Sequence, residues 1–584
     1  MSTKTIDTPQ YSGNVEALPP RTWHSRLDRD WSSWTESRAI VYLVFAAAYI
    51  VPNVMLAHQK LLWDDEFFTL YLSKTASWSD LWRALSTGAD QHPPSFYYLT
   101  HLIMKYAGTT NVMLRSTALF GFALACVCLY EIAREIVGHR WGAPAILLPL
   151  ATPALYYATE ARGYGLELGF ITFSLLMWMW ASDGKKRFLT VPALAIGLCL
   201  AVASHYYALL ILFPLAVGEF VKVWQRRSID FPICGALFAA VLPVLLFVPL
   251  ILRAVPYSKT FWTMPPAWSQ ILYWYPSMLG LSPLILVGAA ALILVFRIPT
   301  TGDWRSELPG MSLPVAIGLI TTALLPGVGM IAAKLVTHAF TPRYFIAALP
   351  AALIILIWAF SRVIRNERVG PALACVFCLV LFANQWRDLQ GDQISALRAI
   401  RSVAAILQQT HDSPIVVTNV TFFHKLSFYG QRDLANRLVY VADPHRSIRY
   451  LGHDTVDRGL LALVPWFPLR VVWWDEWWRA HSSSLVYGPI DDWNWLDFAL
   501  PEIGTIELKN RDVSNLLLSV SRTNMPTSNR QAGDPAGVPM LFNELPPGGP
   551  SLCKAYMPAD NCPVIDDARF GNPIVSYPEL LIRK

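Results

Sequence analysis

The sequence predicts a polytopic α-helical membrane protein that carries a soluble α/β domain at its C-terminal end. Three observations lead there. Of its 584 residues, 54% are hydrophobic and only 15% are charged, whereas soluble domains carry about 25% charged residues. The mean hydropathy is +0.37, and the apolar residues fall in blocks of roughly 17–25, the length that crosses a hydrocarbon core. Beyond about residue 388 these blocks stop, and short β-type runs alternate with helical and polar stretches. The same composition excludes a disordered chain, a collagen and a disulfide-dense scaffold. The net charge of +6 calls for no nucleic-acid partner, because a positive-inside bias supplies it.

The elements follow in order. Residues 1–38 form a polar tail containing Arg21, Arg26, Arg29 and Arg38, with neither the apolar stretch nor the small-residue site of a cleavable signal peptide. Spans are expected near Ala39–Leu56, Val112–Val137, Trp141–Tyr157, Tyr164–Ala181, Leu189–Ala203 and Tyr206–Val223. Further spans are expected near Phe231–Leu252, Pro276–Phe296, Leu313–Leu335, Tyr344–Ile364 and Val369–Phe382. That makes about eleven within a membrane module over 39–387. One set of loops holds Arg134/Arg140, Lys185-Lys186-Arg187, Lys222/Arg226/Arg227, Arg297/Arg305 and Arg362/Arg365/Arg368, and the alternate loops are sparser. The positive-inside rule then puts the N-terminus in the cytoplasm of an inner-membrane protein. An odd number of spans puts residues 388–584 outside, in the periplasm.

In that last region Pro414–Val417, Leu438–Val441 and Leu469–Trp473 read as strands, and the Pro/Gly/Ser/Asn-rich stretch 524–550 as loop. Six of the eight cysteines lie in expected spans, where thiols behave as small hydrophobes. Cys553 and Cys562 lie outside them, and an oxidising compartment favours a bridge between the two over a pair of reduced thiols.

The ionisable residues gather on the expected external face. The first external loop, 60–111, opens with Trp63-Asp64-Asp65-Glu66 directly after a span. Crowded, partly desolvated carboxylates raise one another's pKa and become able to accept a proton near neutral pH; acidic complementation of a helix N-terminus is the plainer alternative. Ser77–Leu85 has a capping-box start and one apolar stripe, suited to lying in the membrane interface. Asp90-Gln91-His92-Pro93-Pro94 then enters a second short helix, with His92 either a ligand-binding group or a hydrogen-bonded loop residue. Three later external corners repeat the chemistry: Glu160-Ala161-Arg162-Gly163-Tyr164, Ser204-His205-Tyr206 and His338 through Pro342-Arg343-Tyr344. Charges at span ends mark a cavity by default, with snorkelling the alternative for Arg162 and Arg343. Two arginines in a wet pocket suit an anionic head group, because guanidinium forks match phosphate oxygens. Aromatic corners suit a sugar ring or a lipid groove.

These segments resemble the motifs of GT-C fold glycosyltransferases. The bacterial branch similar to protein mannosyltransferases and lipid A aminoarabinose transferases (glycosyltransferase family 39-like) is the best match, over about residues 39–385. The resemblance implies a multispan enzyme that takes a sugar from a polyprenyl-phosphate donor on the external face. It places the catalytic carboxylate at Asp65 with Glu66 as its partner, and leaves Asp64 as an extra acid, one residue out of register. Asp64, His92, Glu160, Arg162, Tyr164, His205, Tyr206, His338, Arg343 and Tyr344 are the expected substrate-binding set. The expected reaction is inverting: Asp65 deprotonates an acceptor hydroxyl while arginine steadies the departing phosphate. The acceptor is an envelope glycan, lipid or protein. The motifs fix no cofactor; a divalent metal at Asp65, Glu66 and His92 is a candidate, since carboxylate and imidazole are ordinary ligands. The rival readings are a transporter or lipid flippase, against which stand the one-sided charges and the lack of an internal repeat, and an external binding module on a membrane anchor.

Overall fold

The computed structural model describes residues 37–522, apart from 76, 256–259, 261–265, 286–310, 365–367, 411–412, 468, 490–493 and 512–514. Eight described helices are long and apolar enough to cross a membrane: Arg38–Gln59, Asn111–Ile136, Tyr164–Ser182, Arg187–Ser204, Tyr206–Arg226, Phe231–Ala254, Pro342–Val363 and Val369–Gln408. Leu313–Ala323 and Leu325–Leu335, bent by 53° at Leu324, make a ninth if the pair is counted as one span. One expected span takes another form, and another lies partly outside the described residues. The stretch Trp141–Tyr157 is broken into short helical pieces, Gly142–Leu147, Leu148–Ala151 and Pro153–Thr159. Pro144, Pro149 and Pro153 interrupt it, since each ring removes a backbone donor and clashes with the preceding turn. The stretch Pro276–Phe296 holds the end of a helix, Ser269–Leu279, which stops at Gly280 with φ 82°; part of this stretch lies outside the described residues.

Small residues let the central helices touch. Cβ atoms added to Gly121 and Gly165 would stand 2.3 and 2.7 Å from backbone atoms of the facing helix, and one at Gly169 would stand 2.4 Å from Gly121 O. Asn111–Ile136 and Tyr164–Ser182 therefore pack backbone to backbone, as small residues permit in lipid. Trp178 fills the groove left by Gly218 and Gly318.

The first loop folds into three helices, Asp64–Ser73, Trp78–Ser86 and Pro94–Ala107. Ser77 caps the second, accepting from Asp80 N at 3.1 Å. Its apolar stripe turns inward: Leu81, Ala84 and Leu85 are buried, and Trp82 meets Phe247 at 6.3 Å.

The helix Val369–Gln408 runs without a break from the last span into the C-terminal region, so the boundary expected at 388 falls inside a continuous helix. Beyond it lies a six-stranded sheet: β1 (Ile415–Val417), β2 (Leu438–Ala442), β3 (Val471–Trp473), β4 (Ser483–Pro489), β5 (Gly504–Arg511) and β6 (Asn515–Arg522), in the order β3-β2-β1-β4-β6-β5. β1 pairs in parallel with β2 at Ile415↔Leu438 and with β4 at Ile415↔Leu485, and β2 pairs in parallel with β3. β6 is antiparallel to both β4 and β5. Every residue of β1 and β2 is buried, as expected of parallel strands covered by helices on both faces. The cysteines at 553 and 562 and the stretch 524–550 lie outside the described residues.

Candidate functional site

Local sequence builds the site at the end of the first span. That helix ends at Gln59 and Lys60 turns the chain. Arg115, one turn into the second span, donates to the carbonyls of Ala57 and Lys60, each at 2.7 Å, and to Leu61 O at 3.1 Å. The remaining edge of its guanidinium meets Glu66 as a fork, Nε to Oε1 at 2.7 Å and Nη2 to Oε2 at 2.6 Å, with both side chains fully buried. Glu66 also accepts from Ala161 N at 2.6 Å and from Trp63 N at 3.3 Å. Burial alone would push its carboxyl up, but Arg115 and Lys60 outweigh it and hold Glu66 below its ordinary value. Glu66 thus sits in a saturated hydrogen-bond set that ties the first loop, the second span and the Glu160 corner together.

The neighbouring carboxylate faces the other way. The Asp65 side chain is 25% exposed, against 13% for Asp90 and 0% for Glu66. Arg343 Nη2 stands 3.2 Å from Asp65 Oδ2, and Arg162 Nε stands 4.0 Å from the same oxygen. Arg343 is buried, with its guanidinium carbon 5.5, 5.8 and 5.9 Å from the ring centroids of Trp63, Tyr164 and Tyr344. That is cation–π range. Pro342 at the first position of the turn Pro342–Ala348 sets the Arg343 corner, and Trp274 Nε1 donates to Pro342 O at 3.0 Å.

Arg162 is committed elsewhere. Its Nη1 donates to Asp90 Oδ2 at 2.6 Å and to the Asp65 carbonyl at 3.2 Å, and Tyr97 OH donates to the same Asp90 oxygen at 2.6 Å. Burial would raise Asp90, yet the charge of Arg162 holds its carboxyl well below the usual range. Arg162 Nη2 also lies 2.8 Å from His92 Nδ1. A guanidinium only donates, so Nδ1 is the acceptor and the imidazole is neutral with its proton on Nε2. Burial, with Arg162 adding to it, lowers His92 to about 3.

The third corner closes the cluster. The ring centroids of His205 lie 5.0 Å from His92, 5.1 Å from Tyr164 and 5.8 Å from Tyr344, and His205 Nδ1 is 3.1 Å from Glu167 Oε2. Tyr206 lines a small recess beside Gln91 and His92. Glu160 is 1% exposed, and neither carboxylate oxygen has a hydrogen-bond partner among the described residues. Burial pushes its carboxyl up to about 7 against the pull of Arg343 and Lys60. Lys60 is buried, donates to Thr159 O at 3.2 Å and lies 3.7 Å from the Tyr156 ring centroid. Burial brings its ammonium down to about 8, against the charge of Glu66.

Asp65, His92, Glu160, Arg162, Tyr164, His205, Arg343 and Tyr344 are therefore brought together. Asp64 turns instead toward the α/β domain, where Thr421 Oγ1 donates to its Oδ2 at 2.6 Å. His338 is exposed on a left-handed corner, φ 52°. Asp65, Glu66 and His92 form no common donor set, and among the described residues no group of three His, Cys, Asp or Glu side chains is arranged to hold a metal ion. Sequence reasoning missed Arg115, Asp90, Lys60 and Glu167 as members of this network. For Arg115 and Glu167 a signal existed: each is a charge within an apolar span, and such charges are costly unless paired.

No family model matches the sequence, and no curated protein is detectably similar to it. Among solved structures, the chain is similar to the crystal structure of ArnT from Cupriavidus metallidurans bound to undecaprenyl phosphate. The TM-score is 0.53 and the identity 13%, over 83% of this chain and 98% of that one. The apo structure of the same protein gives the same values. The fold is thus of the GT-C type, as the sequence motifs implied.

Proposed function

We propose that this chain is a multi-pass membrane glycosyltransferase that moves a sugar from a polyprenyl-phosphate donor to a hydroxyl of an envelope glycan, lipid or protein. The observation that carries this reading is the pairing of Asp65 with Arg343: the most exposed carboxylate of the cluster stands 3.2 Å from a buried guanidinium in an aromatic cage. A base and a phosphate-holding cation then share one point. The ArnT structure holds undecaprenyl phosphate, which supports a lipid phosphate as the donor's leaving part.

In the proposed reaction Asp65 takes the proton of the acceptor hydroxyl as its oxygen attacks the anomeric carbon. The bond between that carbon and the phosphate oxygen breaks, and its electron pair leaves with the polyprenyl phosphate. Attack from the side opposite the leaving group inverts the configuration. Arg343 stabilises the charge that grows on the phosphate. A phosphate leaves without an added proton, so the acid half of a glycosidase pair is not needed. Glu66 acts here through position, as the pin that fixes the loop, while the Asp90–Arg162–His92 group shapes the wall where the donor sugar sits.

The same reading places the N-terminus in the cytoplasm and the first loop with the α/β domain in the periplasm. Both tests are direct. Purified protein is given a radiolabelled sugar on a polyprenyl phosphate together with an envelope extract. Transfer to a macromolecular or lipid product is expected, with the opposite anomer to the donor; retention of the anomer, or no transfer, rejects the mechanism. A reporter fused after residue 400 is expected to be active only outside, and activity only in the cytoplasm rejects the orientation.

A further inference from the structure

One helix of the α/β domain, Val420–Tyr429, grips the loop that carries Asp65 on both sides of that residue. Ahead of it, Leu62 N donates to Tyr429 OH at 3.0 Å and Thr421 Oγ1 donates to Asp64 Oδ2 at 2.6 Å. Behind it, the Phe67 ring stacks on His424 at 4.9 Å and 14°, and Tyr71 OH lies 3.1 Å from His424 Nδ1. Thr421 and His424 are buried. Thr421 lies in the first turn of its helix, which Asn419 caps by accepting from Phe422 N at 3.1 Å. Asp64 opens its own helix. Its carboxylate thus lies where two helix N-termini meet, and both favour a negative charge there.

We infer that Thr421, through Asp64, is a positioning residue for Asp65, so that the α/β domain forms part of the catalytic machinery rather than a separate acceptor-binding module. This rests on the glycosyl-transfer reading above. Consecutive Cα atoms are 3.8 Å apart across a rigid peptide, so a shift of Asp64 is passed almost whole to Asp65. A general base must sit within hydrogen-bond reach of its proton, and a displacement of about 1 Å can cost 10²-fold in rate. Arg343 reaches Asp65 from the span Pro342–Val363. Asp65 is thereby held between the membrane module and the α/β domain.

The test compares wild type, Thr421→Val and Thr421→Ser in the full-length protein, with two independent readouts. Hydrogen–deuterium exchange over residues 61–71 is expected to rise in Thr421→Val and to return toward wild type in Thr421→Ser; unchanged exchange in Thr421→Val overturns the inference whatever the protein catalyses. Transfer from the lipid-phosphate donor is expected to lose about 10- to 100-fold in kcat in Thr421→Val, with donor Kd unchanged and Thr421→Ser restoring most of the rate. Normal kcat in Thr421→Val, or equal loss in valine and serine variants, overturns it too. Absence of transfer by wild type instead rejects the glycosyl-transfer reading and leaves the exchange result to decide the positioning. Should Thr421→Val fail to fold, Tyr429→Phe removes the acceptor of Leu62 N and is expected to raise exchange and lower kcat in the same way; wild-type exchange and rate there overturn the inference.

Discussion

Arg343 Nη2 stands 3.2 Å from Asp65 Oδ2, so the proposed base and the proposed phosphate clamp begin as each other's partners. A donor phosphate drawn to Arg343 competes with Asp65 for the same cation. Once the guanidinium turns to phosphate, the Asp65 carboxylate is released from its ion pair and is free to accept from the acceptor hydroxyl. Asp65→Asn removes the base and also the competitor. Turnover is expected to fall by about 10²–10⁴, while donor binding is expected to hold or tighten. Single-turnover transfer and a separate donor-binding measurement check this; near-normal turnover removes Asp65 from the mechanism, and weaker donor binding removes the competition.

Arg343→Lys isolates the fork from the charge. A lysine keeps the cation but neither spans two phosphate oxygens nor stacks within the Trp63, Tyr164 and Tyr344 cage. Donor affinity and turnover are both expected to drop, with Arg343→Ala worse than Arg343→Lys in each. Equal affinity for the donor in all three proteins sinks the clamp.

Glu66→Gln tests the pin. It leaves the Arg115 guanidinium fully buried without its counter-charge. Breaking a buried pair from one side typically costs about 3–5 kcal/mol. A marked loss of thermal stability in detergent is expected, together with loss of activity. A Glu66→Gln protein that unfolds like wild type and yet lacks turnover points instead to Glu66 acting in the chemistry.

Much of this was legible in the sequence, and the gaps have physical causes. Long apolar blocks record the solvent around them, so the eight apolar helices and the bent pair coincide with expected spans. Trp141–Tyr157 has the composition of a span but carries prolines that break it, and hydropathy alone does not register backbone donors. β1, β2 and β3 are short β-branched runs and were expected. β4 confines its apolar run to Leu485–Tyr487, between two serines and Gly488-Pro489, and β5 is an edge strand with no buried residue; β6 carries a run, Leu516–Leu518, that was as readable as that of β1 and was not among the expected strands. The corners converge because each carries chemistry that only a shared cavity makes affordable. Which arginine serves which carboxylate was not legible: Arg162 and Arg343 look alike in sequence, and only the fold gives the first to Asp90 and the second to Asp65.

That division makes Asp90→Asn informative. Arg162 then loses its principal partner beside His92. A double-mutant cycle of Asp90→Asn with Arg162→Gln is expected to give a coupling energy of about 1–3 kcal/mol in stability, as for residues in direct contact. Additive effects reject the pairing.

Glu160 supplies the pH dependence, with opposite signs for two contributions. Its carboxyl lies at about 7, above the value of about 4.3 for an unfolded Glu. Between those values the folded protein keeps a proton that the unfolded chain has released. Stability therefore falls as pH rises through that window and is level, for this group, above about 7. Lys60, lowered to about 8, acts the other way above that pH, because the unfolded chain then binds the extra proton. Donor binding responds differently. As pH rises through about 7, Glu160 gains a negative charge beside the groups that hold phosphate, and through about 8 Lys60 loses its positive one; both changes oppose an anion. Affinity for a phosphodiester donor analogue, which does not itself titrate in this range, is expected to weaken by roughly three- to thirtyfold between pH 6 and 9, the span of a partly screened charge interaction. Glu160→Gln is expected to abolish the step near 7 and to keep the one near 8, while gaining stability relative to wild type at pH 7.5. A wild-type binding profile that is flat from pH 6 to 8, or a Glu160→Gln profile that retains the step near 7, shows that Glu160 does not face the donor phosphate.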